Sequence, residues 1–185
     1  APLALFVAND SPIKSLAELV ETAKQQPTRL SYASGNATGA VAGEMLKQQA
    51  GIELLHVPYK ASPQALTDVA GGTVSMMFND IAGATPLMKA GRLRALAITS
   101  KGRSPRLEAV PSLAELGYAG YELYNWVGIL APARTSPEIV NYLAGEINKI
   151  TARREFRDQF ERVGLDLVAP SDPAGFADFV TREIA

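Results

Sequence analysis

Cysteine is absent from the 185 residues, histidine and tryptophan occur once each, and aromatic residues make up only 7%. Without cysteine there is no disulfide framework and no thiolate metal site. A single histidine leaves only scattered carboxylates as further ligands, so no metal cluster is expected. No apolar run reaches the ~18 residues of a membrane span. Lys+Arg 18 against Asp+Glu 19 leave a net charge of -1. A chain without basic excess is not built for nucleic acid or an anionic membrane surface as its main partner. The sequence patterns of catalysis are missing too, since no G-x-S-x-G, H-E-x-x-H, EF-hand or Walker loop occurs. Neither a cofactor nor a metal is expected.

What is present is ordinary globular material. Hydrophobic residues make up 47% and charged residues 20%, which supplies a core and rules out a disordered or fibrous chain. At ~150 residues per domain the length fits one domain or two small ones.

Short apolar runs alternate with amphipathic segments through residues 1–100. Strands are predicted at Leu3–Ala8, Leu30–Ala33, Glu53–Val57, Val74–Phe78 and Leu93–Thr99. Between them, Ser15 with Glu18 gives a capping-box spacing ahead of Leu16, Leu19, Val20 and Ala23, and Pro27 ends that helix. A second helix starts near Thr38 and should carry Val41, Ala42, Met45 and Leu46 inward. Ser62-Pro63 caps a third, and Asn79-Asp80 opens a fourth that contains Pro86. Strands separated by helices imply parallel crossovers, hence an α/β sheet covered on both faces. Residues 100–125 read as a connection with one capped turn at Ser112–Leu116, and Val127–Ala131 reads as a crossing strand. From Ser136 onward the chain is mostly helical, with apolar stripes at Ile139, Val140, Leu143, Ile147 and Ile150 and at Phe176, Phe179 and Val180.

The best site candidate is the loop Ser34-Gly35-Asn36-Ala37-Thr38-Gly39, where a strand ends and a helix begins. Unpaired helix N–H groups and the positive dipole end face such a position and favour a carboxylate or phosphate. The small residues let a ligand approach, and Ser34, Asn36 and Thr38 add short donors; a plain helix cap would use the same residues. Asn79 and Asp80 lie at the corresponding end of the fourth strand, as a second contact or, for Asp80, as an ordinary N-cap. Tyr59, after the third strand, could reach the same rim. Trp126 lines a cleft or anchors packing between units. His56, alone at a strand end, reads as structural; a small α/β enzyme pairing it with Ser34 would need the two within hydrogen-bond reach.

Taken in order, Leu30–Gly35 with Asn36, Ala42-Gly43-Glu44, His56-Val57-Pro58-Tyr59-Lys60, Ala65-Leu66-Thr67-Asp68, Met77-Phe78-Asn79, Lys89–Ala97, Val110-Pro111-Ser112, Trp126-Val127-Gly128, Ala131-Pro132-Ala133 and Ser136–Val140 resemble one family over essentially the whole chain. They are similar to the periplasmic solute receptors of tripartite tricarboxylate transporters, the Bug receptors. The resemblance implies a type II periplasmic-binding fold. Residues 1–125 would form an α/β lobe with one parallel or mixed sheet, helices on both faces and the hinge. Residues 126–185 would form a crossover strand and helices returning to a first lobe that is otherwise missing.

It also implies a small organic acid held without chemistry by the loop Ser34–Gly39 and by Asn79, delivery to the transporter's membrane subunits, and a periplasmic location; with Asp80 and Tyr59 from the reading above, the expected ligand-binding residues are Ser34, Gly35, Asn36, Thr38, Gly39, Asn79, Asp80 and Tyr59. The family usually has Asp where Asn79 stands. Its members carry a further stretch before the strand matching Leu3, so Ala1 reads as a cut edge, and the bared C-terminal helices are expected to join a longer chain or self-associate. A ligand-sensing domain of a transcription regulator is the alternative on the same fold.

Overall fold

The structure, a computed structural model, describes residues 1–162, 165–168 and 172–184. The chain divides into two compact units, Ala1–Trp126 and Val127–Ala185.

The first unit is built on a five-stranded sheet of β1 (Leu3–Ala8), β2 (Ser31–Ser34), β3 (Leu55–Pro58), β4 (Met76–Asp80) and β5 (Leu93–Ile98), in the order β3-β2-β4-β1-β5. Its helices are α1 (Leu16–Gln25), α2 (Ala37–Ala50), α3 (Ser62–Ala70) and α4 (Ile81–Lys89). All six residues of β1 are buried, because alternate side chains of a central strand serve opposite faces. Leu3, Leu5 and Val7 pack with Leu16, Leu19, Ala42, Leu46, Phe78 and Tyr121 on the α1/α2 face. Ala4 and Phe6 pack with Ala65, Leu66, Val69, Met77 and Ile81 on the α3/α4 face.

The helical crossovers do give parallel pairing of β2 with β3 and with β4. The expectation of parallel crossovers fails at β1, which runs antiparallel to both β4 and β5. Alternation of strands and helices in a sequence does not reveal which strands become neighbours, and β4 and β5 close around β1 from either side. As a result Leu3 lies opposite Asp80 and Ala4 opposite Ile98, so the chain enters the sheet at the carboxyl ends of the other four strands. It leaves there as well. Pro2 bridges to Tyr124 in antiparallel fashion, and Ala1 and Asn125 exchange backbone hydrogen bonds of 2.9 Å. The fully buried Thr99 hydroxyl joins the two segments, accepting from the Leu3 N–H at 2.9 Å and donating to the Leu123 carbonyl at 2.6 Å.

Local chemistry explains the helix ends. The Ser15 hydroxyl accepts from the Glu18 N–H, and the Glu18 carboxylate accepts from the Lys14 N–H. Asn36 caps α2 and Asp80 caps α4 through their side chains. Ser62 is the first residue of α3 rather than its cap, since that helix opens after Ala61 with no side-chain cap. In the connection after β5, Ser112 and Glu115 form a reciprocal capping box around one turn. Val41 is 48% exposed, contrary to its expected inward position. The buried line of α2 is Gly39, Ala42, Gly43, Leu46 and Ala50, with small residues where the helix rides close over the Tyr32 ring.

The second unit holds α5 (Pro137–Thr151), α6 (Arg154–Arg162) and α7 (Pro173–Ile184). Ser136 caps α5 as predicted. Val127–Ala131 forms no strand, and Val127, Ile129 and Leu130 are 88%, 74% and 74% exposed. A β-strand needs a laddered neighbour, which apolar composition does not supply. Within its own unit α5 buries no residue, leaving Ile139, Tyr142, Leu143 and Ile150 exposed.

Thr99→Val keeps the shape but strips the Leu3 N–H and the Leu123 carbonyl of a shared partner. It should lower stability by about 1–3 kcal/mol, read as a lower urea midpoint at unchanged slope.

Candidate functional site

Helices α2, α3 and α4 all begin at the carboxyl ends of parallel-running strands, so their first turns converge on one edge of the sheet. At Gly35 the loop before α2 lies against the start of α3. A Cβ at Gly35 would lie 2.5 Å from Ser62 Cα and 2.6 Å from Ser62 Oγ, so only glycine lets the β2–α2 loop lie against the start of α3. On the other side, a Cβ at the buried Gly39 would lie 3.1 Å from the Phe78 carbonyl, which fixes the first turn of α2 against β4. Loop and sheet edge are thus brought together by backbone contact.

Within this loop Asn36 is spent on its cap, Oδ1 accepting from the Gly39 N–H at 2.8 Å. The earlier amides, of Ala37 and Thr38, donate no hydrogen bond among the described residues, and no acidic residue stands in the first turn of α2. The Thr38 hydroxyl is likewise uncommitted among them. Ser34 is 5% exposed, and its Oγ lies 2.7 Å from His56 Nε2.

Asn79 is 2% exposed. Its Nδ2 donates to the Asp80 carbonyl at 3.1 Å, and its Oδ1 is buried without a hydrogen-bond partner. Such an oxygen is costly to leave unmet, and a water or a ligand donor would satisfy it. Asp80 accepts from the Gly83 N–H at 2.6 Å, which commits one carboxylate oxygen to capping α4. Tyr59 packs against the α3/α4 face, and its hydroxyl donates to Asp68 Oδ2 at 2.7 Å. That bond, with burial second, raises the phenol pKa. The structure therefore gathers Ser34, Gly35, Asn36, Thr38, Gly39, Asn79 and Asp80 at one sheet edge, and holds the Tyr59 hydroxyl at α3.

A network missed from the sequence adjoins the site. The Tyr32 ring stacks on His56 at 4.6 Å and 10°, and its hydroxyl donates to Glu44 Oε1 at 2.6 Å. Lys47 pairs with Glu44 at 3.0 Å. Burial, then Glu44, pushes the Tyr32 pKa up. The bond from Tyr32, then that from Lys47, holds the Glu44 pKa below the usual carboxylate range. Cross-strand register places Tyr32 opposite His56, and sequence spacing gives no hint of it. Ser34 and His56 do come within hydrogen-bond reach, the condition set for an enzyme. A nucleophile also needs its base oriented by a third group, and His56 Nδ1 has no hydrogen-bond partner among the described residues. No group of three or more metal-binding side chains occurs among the described residues, nor any helix long and apolar enough to cross a membrane.

Open first-turn amides at a sheet edge are the kind of donors that can receive an anion. The model of the tripartite tricarboxylate transporter family receptor (TctC) matches residues 1–184. The chain belongs to that family, one of solute receptors and not of enzymes. It is 35% identical over 185 residues to the UPF0065 protein in the tcbD-tcbE intergenic region of Pseudomonas sp. (strain P51), covering 98% of this chain and 55% of that protein. The structure of R. palustris Rpa4515 with adipate superposes with a TM-score of 0.88 at 32% identity, covering 99% of this chain and 62% of that one. The periplasmic binding protein BugD superposes at 0.86 with 27% identity, again over 99% and 62%. The chain thus spans little more than half the length of the curated relative.

Gly35→Ala sets a methyl group against the Ser62 backbone and should cost about 1–3 kcal/mol, measured by chemical denaturation. Because the folded Glu44 pKa is depressed, its contribution is present above the ordinary carboxylate pKa and lost as pH falls through the folded value. Glu44→Gln should therefore make the acid-side loss of stability shallower, as followed by thermal melts across pH.

Proposed function

We propose that this chain is the main part of one lobe of an extracytoplasmic solute receptor, which captures a small organic acid and presents it to the membrane subunits of a tripartite tricarboxylate-type transporter. The observation that carries this reading is the open first turn of α2, where among the described residues the Ala37 and Thr38 amides have no acceptor, beside the Thr38 hydroxyl and with no acidic side chain of that turn. A carboxylate at that position receives backbone donors and the positive end of the helix dipole. Ser34 and the close-packed Gly35 and Gly39 shape the floor. Asn79 Oδ1 accepts from a bound water or a ligand hydroxyl. Asp80 acts chiefly through the cap that orients α4, and Tyr59 supports α3 from behind. The adipate bound to the 32%-identical Rpa4515 supports a carboxylate ligand, and the receptor class supports a periplasmic location.

Residues 1–125 are read as the second lobe with its hinge, since the paired segments at Ala1–Pro2 and Tyr124–Asn125 carry the chain in and out beside the site. Residues 126–185 are read as returning to a first lobe. Closure of two lobes on the ligand then shifts the population toward a form the membrane subunits recognise. The exposed apolar stripe of α5 is covered by that lobe, or by a second copy where the lobe is lacking. The relatives being receptors, nothing favours the regulator-domain alternative.

Calorimetry of the full-length chain with adipate, malate, citrate and benzoate tests the reading. At least one should bind, and Asn36→Ala, which loosens the first turn of α2, should weaken it. Asn79→Asp places a buried carboxylate beside the anion and should weaken that acid about tenfold or more, while favouring ligands that carry an ammonium group.

A further inference from the structure

Two segments at the ends of the first unit, Ala1–Leu3 and Leu123–Asn125, are fastened to one residue, Thr99, which follows β5 and is 0% exposed. Its backbone serves both segments. The Thr99 N–H donates to the Leu3 carbonyl at 2.9 Å, and the Thr99 carbonyl accepts from the Leu123 N–H at 3.0 Å. Its hydroxyl serves both again, accepting from the Leu3 N–H at 2.9 Å and donating to the Leu123 carbonyl at 2.6 Å. A hydroxyl has one proton to give, and the Leu3 carbonyl, farther off at 3.3 Å, already holds the Thr99 N–H. Both backbone groups of Leu3 and both of Leu123 therefore end on Thr99.

Farther out the two segments hold each other, through the Pro2–Tyr124 bridge and the reciprocal bonds of Ala1 and Asn125. Burial fades along this stretch. Tyr121 is fully buried and Leu123 half-buried, while Tyr124 and Trp126 are each 40% exposed. Hydrogen bonds more than burial thus hold Leu123–Asn125, the last residues before the chain crosses into the second unit at Trp126–Val127.

We propose that Thr99 is the clamp of a pivot between the two units: its hydroxyl locks Leu123–Asn125 onto the sheet, so that the second unit turns about the residues just beyond Asn125 and not about a longer, looser tether. The clamp goes beyond the receptor reading, and only its consequence for ligand affinity rests on that reading.

Two bonds to a segment fix its direction as well as its position, whereas one leaves it free to swing. Without the hydroxyl each segment keeps a single backbone bond to residue 99. The Leu3 N–H and the Leu123 carbonyl would then be unmet in a buried place, which is costly. Movement of Leu123 out to water relieves that cost and shifts the anchor of the crossing back to Tyr121, held by its own bond to the Ala42 carbonyl. A hinge is defined by the few residues that absorb the change in backbone angles, and lengthening it populates more orientations of the second unit. A ligand that needs one of those orientations is then bound less tightly, by the fraction lost.

The chain has no cysteine, so spin labels can be placed at Lys24→Cys on α1 and Asn141→Cys on α5, both exposed positions. Pulsed electron resonance on the full-length chain then reads the distances between them. Thr99→Val should broaden the distance distribution, and Thr99→Ser, which keeps the hydroxyl, should restore the original width. Gly35→Ala, which lowers stability within the sheet edge, should leave the width unchanged. A merely structural Thr99 would lower the melting temperature in Thr99→Val without broadening the distribution. Should Thr99→Val fail to fold by circular dichroism, Thr99→Ala takes its place. An unchanged width on loss of the hydroxyl, or equal broadening in Gly35→Ala, overturns the proposal. An acid that binds, among adipate, malate, citrate and benzoate, should bind about tenfold more weakly to Thr99→Val and normally to Thr99→Ser. Unchanged affinity in Thr99→Val overturns the consequence for the ligand. If no acid binds the unsubstituted chain, the receptor reading has failed, and the widths by themselves decide the clamp.

Discussion

The first unit depends on β1 being buried on both faces while running against its neighbours. Six apolar residues in the middle of the sheet supply part of both cores. Because β1 is antiparallel to β4 and β5, its start and the departure of the chain after β5 fall at the same edge. Thr99 joins the two segments through one buried hydroxyl. That edge also collects the first turns of α2 and α4. The core thus determines that the first residues of the unit and the stretch ending at Asn125 lie together at one edge of the sheet.

The site follows from helix geometry more than from reactive side chains. Parallel strands followed by helices leave first-turn amides at their carboxyl ends, and those amides attract negative charge. Side-chain caps at Asn36 and Asp80 satisfy some of them and leave the first amides of α2 open. Catalysis needs an oriented base. The capture proposed above needs only donors held in place, and the close-packed Gly35 and Gly39 hold the first turn of α2 against α3 and β4.

The second unit shows the opposite economy. Its helices form where their caps and apolar spacing predict, yet α5 buries none of its residues within the unit. A helix can be specified locally and still depend on another surface for most of its stability. This chain spans only 55% and 62% of two of its relatives.

The sequence by itself determined the strands and helices of the first unit, the caps at Ser15, Asp80 and Ser136, the α/β class and the strand-to-helix junction from Ser34 to Gly39. Each of these rests on local periodicity, capping chemistry or residue size. Its ordered motifs also led to the receptor family, to which the chain belongs. Tertiary structure alone decided the antiparallel course of β1, the exposure of Val41, the absence of a strand at Val127–Ala131 and the bond from Tyr59 to Asp68. It also decided the meeting of Ser34 with His56, residues 22 apart. These are questions of which segments become neighbours, and neighbours are chosen by burial of the whole sheet, which no short stretch of sequence contains.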